Sequence, residues 1–313
     1  MTRAPASLPP TAPATATATA TATDPATAGP SAGFVELEPG RLWAAGRHVS
    51  RLSAAGLGSF EALMGFGGGD VYRRFAGRLT VRLEIGGAAF YLKRHREAAE
   101  PRTWAEMLAR KSVSDARREF DRIAEVRAAG IAAAEPAALG EARLPGDGRS
   151  LLLLEEIPDA RPADDVLLTP ALSERAAPAA RQRLLSRIAG LVRRLHDAGF
   201  NHRDLYLCHV FVGGLSAGRA EEGPLTLIDL QRMGHAAGGA GRRWRVKDAA
   251  QMTYSDRPGV LSNTDRMRLL RAYWGEGPDA LGDARAFRAF ADEVFAKAEG
   301  IRRRDDRRRA GAV

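Results

Sequence analysis

Asn201-His202-Arg203-Asp204-Leu205-Tyr206-Leu207-Cys208-His209-Val210-Phe211-Val212 is where the polar and apolar patterns of this 313-residue chain meet. Upstream, Ala179 to Ala198 carries Leu184, Leu185, Ile188, Leu191, Val192 and Leu195 at helical spacing, and Gly199 stops that amphipathic helix. Downstream, Val210-Phe211-Val212 reads as a buried strand. The polar cluster His202-Arg203-Asp204 therefore falls in a loop between two buried elements, where rigid supports can hold functional side chains.

Working outward, 45% apolar and 27% charged residues fit a soluble globular protein of one large domain or two lobes. The longest apolar runs, such as Leu151 to Leu154, stop far short of the ~20 residues that a membrane-spanning helix needs. A single cysteine, Cys208, excludes an intramolecular disulfide and fits a reducing compartment; beside a buried strand it reads as a small core residue. The net charge of +9 favours an anionic partner: a nucleotide, a nucleic acid, a phosphorylated glycan or a lipid headgroup. Nucleic acid is set aside, because the basic residues are dispersed, no recognition motif appears and aromatics are only 6% of the chain. Only Lys93, Lys111, Lys247 and Lys297 are lysines, which singles out Lys93 at the end of an apolar strand.

Residues 1–32 are mostly Ala, Thr and Pro and are predicted to be a disordered tail, their threonines and prolines breaking any secretory apolar core. A first lobe spans 33–157. It opens with mixed short elements from Phe34 to Phe66, then Gly65-Phe66-Gly67-Gly68-Gly69-Asp70, a glycine turn without the Lys-Ser/Thr of a Walker motif. Val71–Phe75, Leu79–Ile85 and Ala88–Lys93 are predicted as antiparallel strands joined at Ala76-Gly77-Arg78 and Gly86-Gly87. A basic stretch follows, and a helix from Asp115 to Ala129 places Glu119 beside its apolar face. A strand near Ala138, a turn at Pro145-Gly146-Asp147-Gly148 and the buried strand Leu151–Leu154 complete the lobe, with Glu155-Glu156-Ile157-Pro158 as the link. The second lobe, 158–300, is mainly helical, with a strand Leu225–Leu230 bearing Asp229, a capping box at Ser262-Asn263-Thr264-Asp265, and a helix Ala284–Ala298. Residues 301–313 read as a separate basic tail.

Protein kinases hold a base Asp in an H-R-D loop, with a metal-binding residue five positions later. Five positions after Asp204 comes His209, where those kinases have Asn. Phosphoryl transfer needs a cation on the nucleotide phosphates, a carboxylate-bound metal and an acceptor hydroxyl aligned with a base. The chain offers candidates in kinase order: Lys93 for the phosphates, Glu119 to orient Lys93, Asp204 for the hydroxyl proton, and Asp229 with His209 for Mg²⁺. Gly77, sixteen residues before Lys93, and Arg78 would cover ATP, with Glu155 and Glu156 at the lobe link beside it. His202 would pack the catalytic loop and Arg203 would anchor it. The same residues admit a metallohydrolase with His202, Asp204 and His209 as ligands, or a kinase-like binding module without turnover.

The sequence resembles the lipopolysaccharide kinases that phosphorylate inner-core Kdo or heptose, the Kdo/WaaP family. The loop reads like that family's H-R-D-L-x-x-x-H followed by an apolar strand, so that His209 is a family feature. Tyr72-Arg73, Gly77-Arg78-Leu79-Thr80 and Tyr91-Leu92-Lys93-Arg94-His95 are similar to its nucleotide hairpin and lysine strand. Arg118-Glu119-Phe120, Gly130-Ile131 and Glu135-Pro136 look like its helix and following turn; Ile228-Asp229-Leu230-Gln231-Arg232 and Thr264-Asp265-Arg266 resemble its metal strand and late helix. The resemblance implies an α+β, protein-kinase-like two-lobed fold, a small antiparallel sheet lobe plus a mainly helical lobe, using ATP and Mg²⁺. It also implies a sugar hydroxyl (Kdo or heptose) of the lipopolysaccharide core as acceptor, against the alternative of another small-molecule hydroxyl, and a cytoplasmic, peripheral position on the inner face of the inner membrane. The basic stretch after Lys93 and Arg302 to Arg309 would suit an anionic glycolipid or leaflet.

Overall fold

The computed structural model describes residues 33–75, 77–96, 113–142, 147–254, 257, 259–275 and 284–310. The expected tail 1–32, Ala76 and Pro145-Gly146 of two turns, and most of the basic stretch after Lys93 lie outside the described residues.

Seven strands form one antiparallel sheet: β1 (Phe34–Glu38), β2 (Leu42–Ala45), β3 (Asp70–Phe75), β4 (Arg78–Ile85), β5 (Ala88–His95), β6 (Pro136–Glu141) and β7 (Ser150–Glu155), in the order β1-β2-β6-β7-β5-β4-β3. The predicted three-strand core, β3 to β5, is therefore one edge of a larger sheet. Alternation in β4 buries Val81, Leu83 and Ile85. Central β7 is covered on both faces, which explains its unbroken run of leucines. Leu151 and Leu153 join the cluster under α1 (Val49–Ala54) and α2 (Phe60–Gly65), with Leu52, Phe60 and Leu63. Leu152 and Leu154 face the other way, onto Phe120 and Ile123 of α3 (Asp115–Ala128). The glycine run after α2 is structural. A Cβ on Gly69 would meet the Arg82 carbonyl at 2.4 Å, and the Arg94 guanidinium donates to the carbonyls of Met64 and Phe66 at 2.8 Å each.

The second half is mainly helical: a short α4 (Ala163–Leu167), then α5 (Pro178–Asp197), α6 (Arg242–Thr253), α7 (Asn263–Gly275) and α8 (Ala284–Ala310). The predicted apolar face of α5 is buried, and its Arg181 reaches the buried carboxylate of Asp265 at 2.9 Å, fixing the start of α7. The capping box forms, Ser262 and Asp265 each accepting from the other's backbone N–H at 3.0–3.1 Å. Small strands complete this half: β8 (Arg161–Pro162), β9 (Phe200–Asn201), β10 (Val210–Val212), β11 (Leu225–Leu227) and β12 (Gly234–His235).

Two expectations are corrected. The strand predicted over Leu225–Leu230 ends at Leu227, because Asp229 turns into the left-handed region at φ +60 and Leu230–Arg232 coil into a 3-10 turn. The basic tail is not separate: α8 runs unbroken through Gly300 to Ala310. Arginine and alanine are strong helix formers, and Glu299 pairs with Arg302 and Arg303 one turn on.

Candidate active site

Backbone pairing decides which side chains meet. Strands β10 and β11 form an antiparallel pair with Val210 opposite Leu227, so His209 and Ile228 lie side by side, and the Ile228 N–H donates to the His209 carbonyl at 3.1 Å. The loop before β10 and the turn after β11 thus open onto one cleft. There, one ligand atom each from Asp204, His209 and Asp229 lie within 4.8 Å of one another.

The loop itself is held by α6, an element that the apolar pattern does not announce. Asp248, fully buried, accepts the N–H of His202 at 2.6 Å, the N–H of Arg203 at 2.8 Å and the His196 Nε2–H at 3.2 Å. These bonds hold Arg203 at φ +67, a conformation that costs a non-glycine residue roughly 1–3 kcal/mol. Gln251 accepts from the Leu205 N–H at 3.2 Å and donates to Asp204 Oδ1 at 3.3 Å, so it sets the carboxylate's orientation. The Lys247 ammonium donates to the Arg203 carbonyl. Arg203 turns away from the cleft: its guanidinium lies 4.3 Å from the Trp244 ring centroid, donates to Asn201 Oδ1 at 2.8 Å, and needs the missing side chain of Gly234 for room. His202 is buried, its Nε2–H donating to the Ile228 carbonyl at 3.1 Å and its ring stacked on His209. Burial lowers its pKa, and His209 adds to the effect, so it is neutral at ordinary pH. The metallohydrolase set of His202, Asp204 and His209 is therefore not assembled: His202 spends Nε2 on the backbone, and Asp229 takes its place.

Asp229 stands beside a cation. Lys93 Nζ lies 3.5 Å from its Oδ1 and 2.6 Å from Glu119 Oε1, on the fully buried side of α3. Burial would raise the Asp229 carboxyl, but Lys93, His209 and His202 outweigh it and bring the pKa to about 2. Lys93 is pushed down by burial and up by Glu119 and Asp229, with a net rise that keeps it charged. His209 donates from Nδ1 to the Asp204 carbonyl at 2.6 Å, and its Nε2 lies 3.8 Å from Asp229 Oδ2. An imidazole whose one nitrogen donates to a carbonyl is the usual metal-ligating arrangement. Two carboxylates and that nitrogen suit a divalent cation.

The structure brings Lys93, Glu119, Asp204, His209 and Asp229 together, with His202 and Arg203 behind them. Gly77, at φ +68, turns β3 into β4, and Arg78 donates to Gln231 Oε1 at 3.0 Å and Asp115 Oδ2 at 2.8 Å, so the hairpin reaches the turn after Asp229. Its guanidinium is thus engaged with protein side chains in this structure. The carboxylates of Glu155 and Glu156 are likewise diverted. Glu155 pairs with His48 at 2.6 Å and Arg47 at 2.5 Å; Glu156 takes both arms of Arg82 at 2.7–2.8 Å. Sequence reasoning missed Lys247, Asp248 and Gln251. Their signal was slight: a Lys-Asp pair three residues beyond a Trp, in a helix whose buried side mixes polar and apolar residues.

Residues 72–273 match the lipopolysaccharide kinase (Kdo/WaaP) family. The chain is 32% identical over 213 residues to the lipopolysaccharide core heptose(I) kinase WaaP of Pseudomonas aeruginosa, covering 66% of this chain and 77% of that protein. It is 30% identical over 209 residues to the enzyme of the same name from Escherichia coli K12, covering 66% and 78%. Among solved structures, WaaP in complex with acyl carrier protein superimposes with a TM-score of 0.56 at 28% identity, over 75% of this chain and 92% of the other. The match spans the Lys93 strand, the Asp204 loop and the Asp229 turn alike, and the chain belongs to the lipopolysaccharide kinase (Kdo/WaaP) family of ATP-dependent kinases with an alcohol group as acceptor.

Proposed function

We propose that this chain phosphorylates a heptose hydroxyl of the lipopolysaccharide inner core, with Asp204 as the proton acceptor and Mg²⁺ held by Asp229 and His209. The observation that carries the reading is the single cleft in which Lys93, paired with Glu119, lies 3.5 Å from Asp229 while Asp204 and His209 close the other side. Lys93 binds the nucleotide phosphates and Glu119 keeps its ammonium aimed at them. Asp204, oriented by Gln251, takes or steers the proton of the attacking hydroxyl. His202 and Arg203 shape the loop without touching substrate. A bound Mg²⁺ supplies charge neutralisation on the transferring phosphate. The choice of heptose over Kdo follows the two heptose(I) kinases above. No helix among the described residues is long and apolar enough to cross a membrane, and a peripheral site on the inner face of the inner membrane fits a chain of net charge +9 acting on an anionic glycolipid.

Transfer of labelled γ-phosphate to purified inner-core saccharide, wild type beside Asp204→Ala, tests the proposal. Acceptor-dependent transfer that drops about 10²–10⁴-fold in the variant, with Mg-ATP binding retained, supports it. Unchanged turnover in Asp204→Ala removes Asp204 from the mechanism, and phosphate found on Kdo instead of heptose overturns the acceptor assignment.

A further inference from the structure

The cleft carries more positive charge on the acceptor side of Asp204 than a neutral hydroxyl requires. Arg232 ends the turn that follows Asp229, and its guanidinium stands 4.0 Å from Asp204 Oδ2, beyond hydrogen-bond length. The side chain is 59% exposed and makes no other ion pair or hydrogen bond with a described residue, so its remaining N–H donors are open to a ligand. Lys247 approaches from α6. It is half-buried, gives one N–H to the Arg203 carbonyl and stands near the Trp244 ring, 5.7 Å from its centroid. Burial lowers its pKa; the charges of Arg232 and Arg203 add to that, while Asp248 and Asp204 oppose it. Asp248 is committed to the backbone of His202 and Arg203, and the Arg203 guanidinium is turned onto Trp244. Asp204 lies 4.0 Å from Arg232 and its charge is felt by Lys247, while Lys93 lies by Asp229 and Glu119.

We propose that Arg232 and Lys247 form an anion-binding subsite beside Asp204, which grips a carboxylate or phosphate carried next to the acceptor hydroxyl. The subsite rests on the kinase reading and refines it: the substrate is a sugar recognised through a neighbouring anion. An acid sugar such as Kdo supplies a carboxylate, and a phosphorylated sugar supplies the same charge from another source. A bidentate guanidinium and an ammonium on a flexible stem together accommodate either oxyanion.

The test is calorimetric binding of four saccharides to the full chain with Mg²⁺ and a non-hydrolysable ATP analogue: native inner core, carboxyl-reduced, dephosphorylated, and stripped of both groups. Wild type is expected to lose about tenfold or more in affinity when the relevant anion is removed, as for one charge-assisted bond. The carboxyl-reduced and dephosphorylated arms identify which anion that is. Arg232→Gln should lose a similar factor on the native saccharide and nothing further on the stripped one. Lys247→Gln should behave alike, with Lys247→Arg as the control for a folding defect and for partial rescue. Wild type that binds all four equally, or not at all, overturns the subsite; so does an Arg232→Gln loss of equal size on native and stripped saccharides. Phosphate transfer assayed in parallel separates the two readings: charge-dependent binding without transfer defeats the kinase assignment alone, and transfer indifferent to charge defeats the subsite alone.

Discussion

Asp248→Asn tests whether α6 governs the catalytic loop. The wild-type carboxylate accepts two backbone N–H groups at 2.6 and 2.8 Å in a site without solvent exposure. Asparagine keeps one acceptor oxygen and turns an NH₂ toward the second donor. A hydrogen bond to a charged group contributes roughly 1.5–3 kcal/mol, and its loss leaves a buried N–H unpaired. At about 2–4 °C per kcal/mol for a chain of this size, the melting temperature should fall by about 3–12 °C. Catalysis should suffer more than stability implies, because the same bonds hold Arg203 left-handed and so fix where Asp204 points. Thermal melts followed by circular dichroism, beside single-turnover phosphate transfer, should show this drop together with at least about a tenfold loss in rate. Mg-ATP affinity should stay close to wild type, since Lys93, Glu119 and Asp229 do not bond to Asp248. A variant that melts within about 1 °C of wild type and turns over at its rate would refute the reasoning.

Lys93→Met strands the buried Glu119 carboxylate and should cost about 3–5 kcal/mol on denaturant unfolding as well as most turnover; adding Glu119→Gln should restore stability and leave turnover low. His209 offers nitrogen where Mg²⁺ prefers oxygen, so half-activation should need less Mn²⁺ than Mg²⁺, and His209→Asn should raise the Mn²⁺ requirement more than the Mg²⁺ one. Asp229 titrates at about 2 in the fold against 3.8 unfolded, so its stabilisation is complete above about pH 4 and is lost as pH falls toward 2. It amounts to at most ~2 kcal/mol in the metal-free protein, and acid unfolding of Asp229→Asn should be flatter across that window; an unchanged curve would show that Lys93 and His209 do not hold the carboxylate down.

The elements that were legible in the sequence are those whose burial is one-sided. α5 and β4 expose one face each, so period 3.6 and period 2 stand out, and the loop between α5 and β10 follows from their ends. Lys93, Asp204 and Asp229 were singled out because each follows or closes an apolar run in the sequence. α6 was hidden because its buried residues include Asp248, Gln251 and Thr253, whose value lies in hydrogen bonds rather than apolarity. The turn after Leu227 was hidden for another reason: a left-handed Asp is set by tertiary contacts and leaves no glycine to mark it. Arg78, Glu155 and Glu156 were placed by analogy of position, yet where a long side chain points depends on partners far away in sequence, such as Gln231, His48 and Arg82.

The distribution of charge around Asp204 links these findings to the chemistry. On one side, Lys93 is balanced by Glu119 and Asp229, so that the nucleotide side gains net attraction for phosphate chiefly when a divalent cation joins the carboxylates. On the other, Arg232 stands 4.0 Å from Asp204 Oδ2, and Lys247 feels the charges of Asp248 and Asp204. Field strength in such a partly desolvated cleft falls slowly with distance, so under the proposed subsite an anion bound there would also draw the sugar toward Asp204 before any proton moves. The cost of placing cations beside a proton acceptor is that they weaken it as a base. In phosphoryl transfer with a loose transition state that cost is small, because the hydroxyl proton leaves late and alignment matters more than basicity.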